Sequence, residues 1–169
     1  MVKKILIIAG EASGDLHGAS LVKALKAQDP GLELFGVGGE KMKAEGFEAL
    51  FHINQMAFLG FVEVVKHLPY ILKVQKALID EALKRGVKTV VLIDYPGFNL
   101  NIAKKFRKLG IRVVYYIAPQ IWAWGQGRVK KLKERTDIVL SVFPFEEKFF
   151  KEHGVNVRFV GNPLAERIS

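Results

Sequence analysis

The sequence predicts an α/β domain, a Rossmann-like parallel sheet with helices on both faces. Three observations carry that expectation. Residues 90–93, Val-Val-Leu-Ile, form an apolar run suited to a strand buried on both faces. Short runs of this kind alternate with segments of helical period along the chain. Clusters of glycine and proline fall between them, as at Tyr95-Pro96-Gly97. In open α/β sheets ligands sit outside the carboxyl ends of the strands. Asp94, which ends the 90–93 run, therefore stands where a catalytic carboxylate is expected. The structural reading beside it is an acid that organises its own turn.

Taken in order, residues 5–9 read as the first strand, and Gly10-Glu11-Ala12-Ser13-Gly14-Asp15 as the turn after it. The start superficially resembles a signal peptide, but a strand is expected there, because the apolar run is short and Glu11 and Asp15 follow at once. Leu16, Ala19, Val22 and Leu25 place a helix over 16–26. Residues 32–37 are a second strand ending in Gly38-Gly39, 40–45 a short helix and 49–53 a third strand. A helix is expected from 61 to 84, kinked or broken at Pro69. Residues 100–109 form a helix closed by Gly110, and 112–117 a strand. A basic helix covers 128–135, a strand 137–142, a helix 145–152 and a last strand 157–160.

The chain has 169 residues, half of them apolar, enough for one core without staples. It lacks cysteine, which excludes disulfides and thiolate metal sites. Its 26 basic and 17 acidic residues leave a formal charge of +9. That balance fits either a solvated lysine-rich surface or an anionic partner: nucleic acid, a phosphorylated substrate or an acidic membrane. No uncharged apolar run reaches the roughly 18 residues of a membrane span, so a soluble or peripheral cytoplasmic protein is expected.

The first turn could hold an anion at backbone N–H groups, or be a tight turn in which Ser13 or Asp15 caps the helix. It is neither G-x-G-x-x-G nor a P-loop. Gly36-Val37-Gly38-Gly39 would allow close backbone approach between layers or to a sugar. His17, His52, His67 and His153 have no metal spacing, so no metal is assigned, and His17 alone is worth testing. Residues 56–72 are dense in apolar side chains. Phe58, Val62 and Ile71 widen the stripe of Phe61, Val64, Val65, Leu68 and Leu72 beyond one packing face. That face could touch lipid, pack under neighbours or form a dimer contact. Trp122 and Trp124 could line a pocket or fill the core.

Seven of these segments, in order, resemble the lipid-A-disaccharide synthase family of inverting, GT-B class glycosyltransferases. They are Gly10-Glu11-Ala12-Ser13-Gly14-Asp15, Gly36-Val37-Gly38-Gly39, Leu59-Gly60-Phe61-Val62-Glu63-Val64, Ile93-Asp94-Tyr95-Pro96-Gly97-Phe98-Asn99, Tyr115-Tyr116-Ile117-Ala118-Pro119-Gln120-Ile121-Trp122-Ala123-Trp124, Phe143-Pro144-Phe145-Glu146 and Val160-Gly161-Asn162-Pro163-Leu164. Two positions depart: the family usually has a second Asp where Gly97 stands and a His where Asn162 stands.

The resemblance implies one half of a two-domain enzyme. Residues 1–163 would be the acceptor-binding domain, and 164–169 the start of a linker to a UDP-sugar-binding domain. It implies UDP-2,3-diacylglucosamine and 2,3-diacylglucosamine 1-phosphate as substrates, with Asp94 as the base and no cofactor. Glu11, Ser13, Gly14 and Asp15 would shape the site floor, and Asn99, Gln120 and Trp122 would hold the acceptor. Phe58, Phe61, Val62, Val65, Leu68, Ile71 and Leu72 would meet lipid at the inner face of the inner membrane. A homodimer is compatible with the same apolar face. The competing reading is a stand-alone basic module for nucleotide or nucleic acid. Against nucleic acid, the aromatics are not interleaved with the basic clusters as a stacking platform requires.

Overall fold

The computed structural model describes residues 2–56, 67–117 and 126–161. Seven parallel strands run β1 (Lys4–Ala9), β2 (Glu33–Gly38), β3 (Glu48–His52), β4 (Thr89–Ile93), β5 (Arg112–Tyr116), β6 (Ile138–Ser141) and β7 (Val157–Phe159). Between them lie α1 (Ala12–Gln28), α2 (Glu40–Ala44), α3 (Leu68–Lys84), α4 (Pro96–Lys108), α5 (Gln126–Arg135) and α6 (Pro144–Glu152), with one 3₁₀ turn at Ile53–Gln55. The sheet order is β3-β2-β1-β4-β5-β6-β7. Strand order therefore reverses between β1 and β4, the place where such sheets open a crevice at their carboxyl edge.

The alternation of side chains across each strand explains why the sheet is covered twice. Leu6 and Ile8 of β1 join Val90 and Leu92 of β4 in one core with Val74, Leu78 and Phe106 from α3 and α4. Ile7 and Ala9 join Val91 and Ile93 in a second core with Ala19 and Val22 of α1 and Met42 of α2. A strand apolar at every position is the consequence. Gly36 permits the tight β1–β2 approach: a Cβ there would lie 2.2 Å from the Ile7 carbonyl oxygen.

Two prolines stand in the first turns of helices. Pro69 falls in the first turn of α3, which begins at Leu68, and the expected stretch before it, 61–66, is not described. Pro96 likewise opens α4, four residues before the apolar stripe that marks it. Both follow from the missing proline N–H, which the first helical turn does not need. The expected helical residues 61–66 lie outside the described residues, as do 162–169, where the proposed domain boundary falls.

Candidate active site

The β1–β4 register pairs Ala9 with Ile93, and the β4–β5 register pairs Ile93 with Tyr116. The next residues, Gly10, Asp94 and Ile117, therefore stand side by side at the carboxyl rim. Three non-glycine residues have positive φ in the described structure: Asp94 (45°), Tyr95 (51°) and Ile117 (60°). All three lie on this rim. Aspartate tolerates the left-handed region, whereas tyrosine and isoleucine adopt it rarely. Each such residue costs roughly 1–3 kcal/mol and persists only where its surroundings enforce it.

The enforcing contacts are specific. The Asp94 N–H donates to the Tyr116 carbonyl at 3.3 Å. The Tyr115 hydroxyl donates to the Asp94 carbonyl at 2.5 Å, and the Asn99 side-chain amide donates to the carbonyls of Asp94 (2.8 Å) and Ile93 (3.2 Å). The Tyr95 hydroxyl donates to the Met56 carbonyl at 2.8 Å. Its ring covers Gly10, where a Cβ would lie 2.4 Å from the ring. Glycine at position 10 is thus required by the tyrosine across the crevice.

Two carboxylates share the rim. Burial pushes the Asp94 carboxyl above its ordinary value, offset in part by a backbone hydrogen bond from Tyr95. Glu11 is also raised, first by burial and then by the negative charge of Asp94. Glu11 is the N-cap residue of α1, yet its side chain makes no capping bond. Among the described residues no lysine or arginine pairs with Asp94. A half-buried carboxyl held up in this way is a better proton acceptor when ionised than one in water.

Asp15 has a different occupation. Its Oδ1 accepts from the N–H groups of Gly39 (2.8 Å) and Met42 (3.0 Å), and its Oδ2 from Lys41 (3.2 Å). It caps α2, and not its own helix as one sequence reading had it. Gly14 is buried against Ala9, Ser13 is exposed in the first turn of α1, and His17 is half-buried one turn further on. Asn99, expected to hold a ligand, is fully buried with its amide N–H groups spent on backbone.

Leu68, Ile71 and Leu72 at the start of α3 wall a cleft of about 190 Å³ with Phe98, and Gln75 and Asn101 supply its polar groups. Leu68 and Leu72 are each 48% exposed. Gly97 also borders this cleft, three residues from Asp94. Phe58, Phe61, Val62, Val65, Gln120, Trp122 and Trp124 lie outside the described residues. Sequence reasoning missed Gly10, Tyr95 and Tyr115. Only Tyr115 left a signal, since a tyrosine inside a buried strand needs a partner for its hydroxyl.

This strand order, with ionisable groups gathered at its switch point, defines a Rossmann-like ligand-binding domain of the doubly wound class. Comparison with known proteins narrows the class. The family profile described as lipid-A-disaccharide synthetase matches residues 5–169. Among curated relatives, lipid-A-disaccharide synthase of Myxococcus xanthus is 46% identical over 98% of this chain and 43% of its own length. The proteins of the same name from Trichlorobacter lovleyi and Pseudomonas aeruginosa are 47% and 44% identical, each over 98% of this chain and 43% and 44% of their own lengths. The chain belongs to the lipid-A-disaccharide synthetase family. It spans less than half the length of these relatives, in keeping with one half of a GT-B enzyme.

Proposed function

We propose that this chain is the acceptor-binding half of a lipid-A-disaccharide synthase. The observation that carries the reading is Asp94, a carboxylate of raised pKa in an enforced left-handed turn at the sheet's switch point. In the reaction, the 6-hydroxyl oxygen of 2,3-diacylglucosamine 1-phosphate attacks the anomeric carbon of UDP-2,3-diacylglucosamine. The hydroxyl proton passes to the Asp94 carboxylate. The bond from the anomeric carbon to the diphosphate oxygen breaks, its electron pair leaves with UDP, and the configuration inverts to β(1→6). General-base help of this kind is worth roughly 10²–10⁴-fold. Glu11 assists by its charge: taking up a proton on Asp94 relieves the repulsion between the two groups. Ser13 and Gly14 form the floor with Glu11, Asp15 holds that floor through α2, and Gln120 and Trp122 hold the acceptor.

The donor is bound by the remainder of the protein, joined through a linker that starts at residue 164, so these 169 residues alone do not turn over. The exposed Leu68 and Leu72, with Ile71, Phe58, Phe61, Val62 and Val65, form the lipid-facing surface of a peripheral protein at the inner face of the inner membrane. Among the described residues no helix is long and apolar enough to cross a membrane. The test is product analysis on the full-length protein given both sugars. A disaccharide and UDP in equal amounts are expected; transfer to another acceptor but not to this one would contradict the reading. Leu68→Ser with Leu72→Ser should weaken co-sedimentation with anionic vesicles.

A further inference from the structure

The turn that carries Asp94 is gripped by two side chains that never reach its carboxylate. We infer that Tyr115 and Asn99 are positioning residues for the proposed reaction, clamping the main-chain carbonyl of Asp94 so that its carboxylate stays beside Glu11. The inference rests on the reading of Asp94 as the base.

Four observations carry it. Asp94 and Tyr95 are consecutive residues at φ 45° and 51°, a region that aspartate tolerates and tyrosine adopts rarely. Two side-chain donors meet on one carbonyl oxygen, Tyr115 from β5 at 2.5 Å and Asn99 from α4 at 2.8 Å. Both donors are fully buried, so water does not compete for the bonds. The Asn99 Oδ1 is buried with no hydrogen-bond partner among the described residues. The amide N–H groups of the same side chain are both committed to backbone carbonyls. These are the last two carbonyls before the turn. The Tyr115 hydroxyl meets the Asp94 carbonyl and the Asn99 side chain, so the two donors of the clamp also touch each other.

The clamp acts on geometry. With one donor removed, the turn relaxes toward ordinary backbone angles and the carboxylate moves away from its place beside Glu11 and into more water. Of the titratable groups around it, Glu11 from the start of α1 and Tyr115 from β5 feel its charge, and Tyr95 beside it feels that of Glu11.

The test uses the full-length protein with both sugar substrates, in four forms: Tyr115→Phe, Asn99→Ala, the double variant and Asp94→Asn. Tyr115→Phe is expected to lower kcat by about 10–10²-fold, the scale of a misplaced reacting group, with KM for each sugar unchanged. The acidic limb of the kcat–pH profile should move to lower pH, because the displaced carboxylate is better hydrated. Its thermal midpoint should stay near that of the parent. The double variant should lose little more than the worse single one, as parts of one device do. An unchanged kcat and acidic limb in Tyr115→Phe, with Asp94→Asn inactive, would overturn the clamp alone. A fall in kcat that only tracks the unfolded fraction, with the limb unmoved, would also overturn it. Full turnover by Asp94→Asn would remove the base and the clamp together.

Discussion

Asp15 and Asp94 stand on the same rim of the same sheet, and their surroundings give them opposite work. Asp15, in the first turn of α1, accepts three backbone hydrogen bonds from the start of α2 and is 4% exposed. Asp94, after β4, is half-buried, is reached by one backbone hydrogen bond, and titrates above its ordinary value. The first acid is consumed by architecture. The second, the proposed base, keeps its carboxylate largely unbonded, and the side-chain and backbone contacts go to its main chain, through Tyr115, Asn99 and Tyr116. What separates a structural from a chemical carboxylate is thus where the donors point, a property of the fold that residue type does not report.

The comparison is sharpened first by removing the satisfied acid. Asp15→Ala leaves three amides of α2 without acceptors, and a loss of about 3 kcal/mol in chemical denaturation is expected. Asp15→Asn, which keeps an acceptor, should lose less. Next comes the glycine under Tyr95. Gly10→Ala places a methyl group 2.4 Å from a ring whose hydroxyl is anchored on Met56, so the side chain has little room to yield. About 1–3 kcal/mol of stability should be lost, and turnover of the full-length protein with it, since Asp94 adjoins the displaced residue.

Removing the proposed base should do the reverse of removing the satisfied acid. The Asp94 carboxyl has a folded pKa above its ordinary value of 3.8. Between those two values the folded protein binds more protons than the unfolded chain, so stability is lost as pH rises through the folded pKa. Asp94→Asn is freed from that loss. Its thermal midpoint at neutral pH should exceed the parent's, and the difference should vanish below the ordinary value. A midpoint lowered at neutral pH would assign Asp94 a structural role like that of Asp15. The smallest effect is expected at Gly97, where an added Cβ meets nothing within 4 Å. Gly97→Asp puts an acid in the first turn of α4. It should change stability by no more than about 1 kcal/mol, toward stabilisation, as measured by thermal melting.

Much of this arrangement could be read from residue order. The apolar run at 90–93 identified a strand covered on both faces and put Asp94 at its carboxyl end, because burial on two faces leaves no polar alternation. Gly110, at φ 77°, closes α4 as its position suggested. Other features depend on contacts between distant residues. The partners of Asp15 lie 24 to 27 residues away, so its sequence neighbourhood pointed to the wrong helix. Asn99 reads as a polar group near a site, and only the fold turns it inward onto the backbone it supports. The left-handed angle at Tyr95 follows from Gly10 and Met56, 39 residues away for the latter. Pro96 reads as an interruption, because a proline in sequence does not say whether a helix is beginning or ending.

The central claim is that Asp94 takes the acceptor proton, and one measurement addresses it directly: kcat of Asp94→Asn against the parent in the full-length protein, across pH. The account predicts a loss of roughly 10²–10⁴-fold, with the parent's acidic limb absent from the residual activity and the fold intact. Turnover within a few-fold of the parent, on an unchanged pH profile, would contradict it.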